Sequence, residues 1–218
     1  MFCEDIKEIF IKNKILILVN GATETLYIIT RFFKMRLLLI FFLFIGFKSM
    51  SQTEEQNYNV LKTLEDVQIR EYDPVIYASV STDNERSLFR ILAGYIFGGN
   101  ENNQKIAMTA PVHMQESSSE KEKKYTMKFV MPSKYTLDNL SKPNDPRIIM
   151  EKVSKKKYAA ISYSGYNNSS KFSLNSTKLR KILDENNISY KDNPIYLGYD
   201  APYKVWGRKN DVLLELTE

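Results

Sequence analysis

The chain has 218 residues, 43% of them hydrophobic and 12% aromatic, enough for one substantial core and too few for two large domains. Its formal charge of +5 is unevenly spread: residues 1–51 hold seven Lys/Arg against four Asp/Glu, and the remainder is nearly balanced. That balance leaves no electrostatic footprint for a nucleic-acid partner. The only cysteine is Cys3, so residues 4–218 can form no disulfide and offer no thiolate metal ligand or cysteine nucleophile.

Met35-Arg36 precedes an apolar run, Leu37–Phe47, which ends before Lys48-Ser49-Met50-Ser51. A basic start, a short apolar stretch and small residues at 49 and 51 predict a signal peptide over 35–51, cut after Ser51. Residues 1–34 are then an upstream extension. The run is shorter than the ~20 residues a spanning helix needs. The alternative is an uncleaved membrane anchor over residues 25–47. Both readings export the folded part, to the periplasm or the cell surface, and only an uncleaved leader would touch a membrane. Residues 52–66 read as a polar tether.

From Val67 the chain repeats a pattern of strand, strand, helix and strand, over 67–131 and again over 147–217. In the first repeat Val67–Tyr72 and Val75–Val80 alternate apolar and polar residues as strands do, with a break at Asp73-Pro74. Ser81–Asn84 offers N-caps for a helix from Glu85 to Phe97, stopped by Gly98-Gly99. Ala110-Pro111 then precedes the strands Val112–Gln115 and Tyr125–Met131. The second repeat places strands at Ile148–Val153 and Tyr158–Tyr163, a helix near Thr177–Asn186, a break at Ala201-Pro202 and a strand at Asp211–Leu216. The two Ala-Pro dipeptides are expected to superpose. A duplicated unit of this kind predicts an α+β, barrel-like fold with a seam between its halves, where pockets form.

The first helix carries more apolar surface than one sheet needs. At about 100° per residue, Leu88, Ile91, Leu92 and Tyr95 form one stripe, and Phe89, Ala93, Ile96 and Phe97 extend it. Arg86 and Arg90 border the extension. Such a face suits a flat hydrophobic ligand with acidic substituents, or else it packs on a loop or on the link between repeats. No nucleophile–base arrangement is visible. His113, the only histidine, sits between Val112 and Met114 and faces away from both. It is a weak candidate for an axial iron ligand.

The run Gly198-Tyr-Asp-Ala-Pro-Tyr-Lys-Val-Trp-Gly-Arg-Lys-Asn-Asp-Val212 resembles the C-terminal signature of the SOUL haem-binding proteins. Tyr95-Ile-Phe-Gly-Gly-Asn100, Lys105–Val112 and Ile69-Arg-Glu-Tyr-Asp-Pro74 agree with the same family, so the resemblance spans about residues 58–217. It implies a distorted barrel similar to the effector-binding domains of bacterial drug-response regulators. It also implies reversible binding of haem or another tetrapyrrole in an apolar groove beside the first helix, often with no protein ligand to the iron. By position, Arg86 matches a basic residue that meets a haem propionate. A second basic position of the family is Gly94 here, and a histidine of some relatives is Glu71. The ligand-binding residues expected are Arg86, Phe89, Arg90, Ala93, Ile96 and Phe97, with haem or porphyrin as ligand. The rival readings are a binder of other lipophilic molecules, and a hydrolase or dechelatase with a buried acidic pair in the groove.

Overall fold

The computed structural model describes residue 31 and residues 33–37, 53–118 and 123–217. Residue 31 and residues 33–37 are helical. Most of the expected signal peptide, its cut after Ser51 and most of the alternative anchor lie outside the described residues. No helix among the described residues is long and apolar enough to cross a membrane.

Residues from Thr53 onward form their own unit. Its strands are β1 (Glu54–Glu55), β2 (Tyr58–Leu64), β3 (Val67–Tyr72), β4 (Val75–Thr82), β5 (Thr109–Ala110), β6 (Val112–Ser118), β7 (Lys123–Val130), β8 (Ile149–Val153), β9 (Lys156–Ser164), β10 (Ile195–Gly198) and β11 (Lys209–Glu215). Two helices interrupt them, α1 (Glu85–Ile96) and α2 (Ser169–Glu185). The large sheet runs β2-β3-β9-β11-β10-β6-β7-β4-β8, every pair antiparallel, while β1 and β5 pair in parallel.

That order carries the duplication. Exchanging β3 with β8, β4 with β9, β6 with β10 and β7 with β11 reverses the order of these eight strands and leaves every pairing intact. The helices obey the same exchange: α1 packs on β4 and β7, α2 on β9 and β11. The halves meet at the β6–β10 pair, where Leu197 lies opposite His113.

Strand alternation gives the sheet two unlike faces. On the helix face, Ile76, Ala78, Val80, Met127 and Phe129 pack under α1 with Leu88, Leu92 and Tyr95. Val67, Ala159, Ile161, Val212 and Leu214 pack under α2 with Leu179, Ile182 and Leu183. Fully burying one such leucine is worth about 1.5–3 kcal/mol relative to leaving it in water. The other face carries Arg70, Tyr72, Tyr77, His113, Lys128, Tyr158 and Asp211 beside a small apolar cluster of Ala160, Leu197 and Leu213.

Three expectations need correction. Residues 53–64 are not a tether, because β1 and β2 lie there and Gln56 is buried, its N–H donating to Ala110 O at 2.8 Å. Polarity misled here: an edge strand with one wet face needs few apolar residues. The second helix begins at Ser169, eight residues before the expected start, with the Asn168 side chain accepting from Lys171 N at 2.9 Å. Its first two turns are mostly polar, so periodicity could not reveal them. The two Ala-Pro dipeptides are not equivalents: Ala110-Pro111 precedes β6, whereas Ala201-Pro202 follows β10, the counterpart of β6.

Candidate ligand groove beside the first helix

The helix is fixed at both ends by local chemistry. At its start the Asn84 side chain accepts from Arg86 N at 3.1 Å. At its end Gly98 takes φ 112°, a left-handed conformation that favours glycine, and Gly99 N donates to Gly94 O at 2.8 Å. A Cβ on Gly99 would lie 2.6 Å from Gly94 O. Buried Asn100 locks the turn that follows, donating to Tyr95 O and Gln104 O and accepting from Gln104 N. Tyr95 OH donates to Ser141 O at 2.9 Å, which fastens the inter-repeat link along the helix. The Tyr95–Asn100 motif is thus the stop and anchor of α1.

The structure divides the six residues expected to meet a ligand. Phe89 (47% exposed) and Phe97 (70% exposed) stand on the outer side of α1 with Arg86 and Arg90, and Ala93 lies at the base between them, 8% exposed. Phe89 rests its ring against the edge of Phe129, centroids 5.6 Å apart. Ile96 is corrected: it is 1% exposed, is part of the core under α1 and has no outward surface to offer. The width of the apolar stripe is therefore split, with its inner part serving the core and Phe89 and Phe97 left to the outside.

On the Gly94 side of this face an open concavity of about 440 Å³ lies between α1 and residues 144–148. That is within the range of small-molecule sites. A Cβ built on Gly94 would meet nothing within 4 Å, so the space above the helix backbone there is free. Two guanidinium groups border it. Arg90 comes from the helix, and Arg147 is held by Asp145 through bonds of 2.6 and 2.9 Å. Hydrogen bonds from Arg147 hold the Asp145 carboxyl down at about 2. The link between repeats forms the far wall, so packing and groove come from the same segment.

His113 stands on the opposite face of the sheet from α1. Its Nε2–H donates to Gln56 Oε1 at 2.9 Å and its ring meets Tyr77 edge-on at 5.1 Å. Burial, then the nearby Lys128, push its pKa down to about 3. It has no route to a ligand lying on α1. No group of three or more His, Cys, Asp or Glu able to hold a metal ion occurs among the described residues.

Sequence reasoning missed the most buried charges among the described residues. Arg70 and Asp211 are 2% and 0% exposed and form an ion pair on the face away from the helices. Ser162 Oγ and Tyr199 OH also donate to Asp211, at 2.6 and 2.8 Å. Asp211 opens a run that reads as an ordinary apolar strand, and nothing local marks it. Its partner is a cation, so this is not the acidic pair that a hydrolase or dechelatase reading requires. Glu151 and Glu215, which line a small cavity on the same face, are likewise paired, with Lys128 and Lys156.

Comparison with known proteins agrees with this architecture. Residues 53–215 match the family described as SOUL heme-binding protein. The chain is 29% identical over 157 residues to Heme-binding protein 2 of Mus musculus, covering 67% of this chain and 76% of that protein. Against Heme-binding protein 1 of Xenopus tropicalis the identity is 27% over 132 residues, covering 59% and 68%. Among solved structures, a cryo-EM structure of an EcmrR–DNA complex superposes with a TM-score of 0.51 at 12% identity, over 84% of this chain and 65% of that one. This last likeness concerns the fold alone. The match to the family covers about three quarters of the residues, and the chain belongs to the SOUL heme-binding protein family.

Proposed function

We propose that this protein binds haem or a related tetrapyrrole on the outer side of α1, in the groove that begins at Gly94. The observation that carries the reading is an open concavity over Gly94, floored by Ile91 and Tyr95 and bordered by the guanidinium groups of Arg90 and Arg147, with exposed Phe97 at the end of the same helix nearby. A tetrapyrrole offers a flat apolar body and two carboxylates, which this face matches. The names of the relatives, Heme-binding protein 1 and 2, support the same ligand class.

The division of labour follows from the residues. Ile91, Gly94 and Tyr95 give the macrocycle an apolar floor, and Phe97, further along the same helix, offers it exposed ring surface. Arg90, which lines the groove, donates charge-assisted hydrogen bonds to its carboxylates, and Arg86, one turn earlier on α1, is the second donor that the family resemblance implies. The Tyr95 hydroxyl is engaged with Ser141 O, none of the other side chains is a usual axial ligand, and the only histidine faces the other side of the sheet, so the protein reads the macrocycle and its acids. When bound, the iron would supply its own ligand chemistry outside this contact. The exported location expected from Leu37–Phe47 is part of the proposal, and intact-mass measurement of the protein from its host checks the cut after Ser51.

Spectral titration of the haem-free protein with ferric haem and with metal-free porphyrin tests the reading. Comparable affinity for both is the expected result. Binding of neither, or strong selection for iron, contradicts it.

A further inference from the structure

The loop between β10 and β11, residues 199–208, is held in one shape by its own polar atoms. Arg208 Nη1 donates to the carbonyl oxygens of Ala201 and Lys204 at 2.8 and 2.9 Å, and Nη2 to that of Asp200 at 3.3 Å. The Asp200 carboxylate accepts from Lys209 N at 2.6 Å and from Lys204 Nζ. The Arg208 guanidinium also lies over the Tyr166 ring, 4.7 Å from its centroid. So much internal bonding defines a rigid projection.

What the projection turns outward is apolar: Tyr203 is 86% exposed, Trp206 83% and Val205 61%. Folding gains nothing from leaving these side chains in water, since apolar area stabilises only when it is covered. Three side chains of this size offer at most about 600 Å², below the roughly 800 Å² per partner that a stable protein–protein interface buries. A narrow convex tip suits a fluid surface better than a rigid partner. Trp and Tyr settle at the level of lipid headgroups. The charged side chains around the tip are Lys204, Arg208 and Lys209, with Lys171 at the adjoining turn, against Asp200 and Glu55. That surplus of cations complements anionic lipid.

We propose that residues 203–206 form a membrane-interface tip that seats Trp206, Tyr203 and Val205 among the headgroups of an anionic bilayer. The inference is independent of the tetrapyrrole reading and uses a different part of the fold.

Trp206 is the only tryptophan in the chain, so its emission reports on the tip alone. The haem-free full chain is mixed with vesicles of equimolar phosphatidylcholine and phosphatidylglycerol, with and without acyl-brominated lipid. The expected result is a blue shift of Trp206 emission and its quenching by brominated lipid, both weakened by added salt. The double variant Tyr203→Ser, Val205→Ser keeps the reporter and should need about tenfold more lipid for half the shift, the order expected from losing part of two apolar contacts. The apolar leader can hold the chain on vesicles without placing Trp206 in the bilayer. Sedimentation with vesicles but no quenching therefore overturns the proposal. So does a blue shift that appears without lipid as protein concentration rises, which would assign the tip to a second copy.

Discussion

Arg70 Nη1 donates to Asp211 Oδ2 across 2.6 Å, and neither side chain reaches solvent. The pair joins β3 to β11 with β9 between them, where Ser162 bridges both partners through bonds of 3.1 and 2.6 Å. Tyr199, just beyond β10, adds a third donor to Asp211. Burial is the largest single influence and favours a neutral Arg70, yet the charge and hydrogen bonds of Asp211 and Tyr72 together outweigh it and raise the arginine pKa. Four adjacent strands, β3 of the first repeat and β9, β11 and β10 of the second, are therefore pinned by one carboxylate.

Removing either partner strands the other without water, which costs about 3–5 kcal/mol for a buried pair. Asp211→Ala and Arg70→Ala should each lower the unfolding free energy from urea titration by that order. The double variant should cost clearly less than the sum of the two, because it leaves no orphaned charge. Strict additivity in the denaturation cycle would show that the two residues act independently.

His113 predicts a pH dependence of stability. Its pKa falls from 6.5 to about 3 on folding, because burial disfavours the charged ring. Between those values the unfolded chain binds a proton that the folded chain does not, so stability rises with pH. This contribution is complete above 6.5 and is lost as pH falls toward 3, at about 1.4 kcal/mol per pH unit. Denaturant titrations of the wild type and of His113→Gln from pH 7 to pH 4 should converge as pH falls. Parallel curves would contradict the assignment of this slope to His113.

The stop of α1 gives a third test. Because a Cβ on Gly99 would sit 2.6 Å from the Gly94 carbonyl oxygen, Gly99→Ala forces backbone apart from backbone. A loss of about 1–3 kcal/mol is expected, the usual cost of overpacking a well-packed site. Thermal unfolding at unchanged midpoint would mean that the turn relaxes freely.

How far the sequence could be read depended on which signals are local. Leu88, Ile91, Leu92 and Tyr95 recur at helical spacing, and Asn84 and Gly98 mark the ends of α1, so that helix was legible to within a residue. The alternation in Val67–Tyr72 and Val75–Val80 exposed β3 and β4 for the same reason. By contrast β2 carries Lys62, Thr63 and other polar residues on an edge, β10 spans four residues, and the first turns of α2 have few apolar positions. Each is held by neighbours distant in sequence. On α1, Phe89 and Phe97 were visible as apolar surplus, while of the six expected ligand residues only Arg90 lines the concavity. Ile96 shares their wheel pattern, and only packing against the sheet tells it apart. Arg147 was hidden because it approaches α1 from the link, and Asp211 because its partner lies 141 positions away.

Gly94 offers the most direct test of the groove. Its missing side chain points into free space, so a substitution there alters the groove without disturbing a neighbour, and replacing a helical glycine adds about 0.5–1 kcal/mol of stability. The measurement is a porphyrin titration of wild type, Gly94→Glu and Gly94→Lys, each checked by its unfolding midpoint. Both variants should fold at least as stably as the wild type, because the added side chain meets no neighbour. Gly94→Glu should lose affinity by tenfold or more, a cost of about 1.4 kcal/mol, and Gly94→Lys should bind as well or better. Equal affinity in the two charged variants would place the ligand elsewhere on the protein and contradict the account.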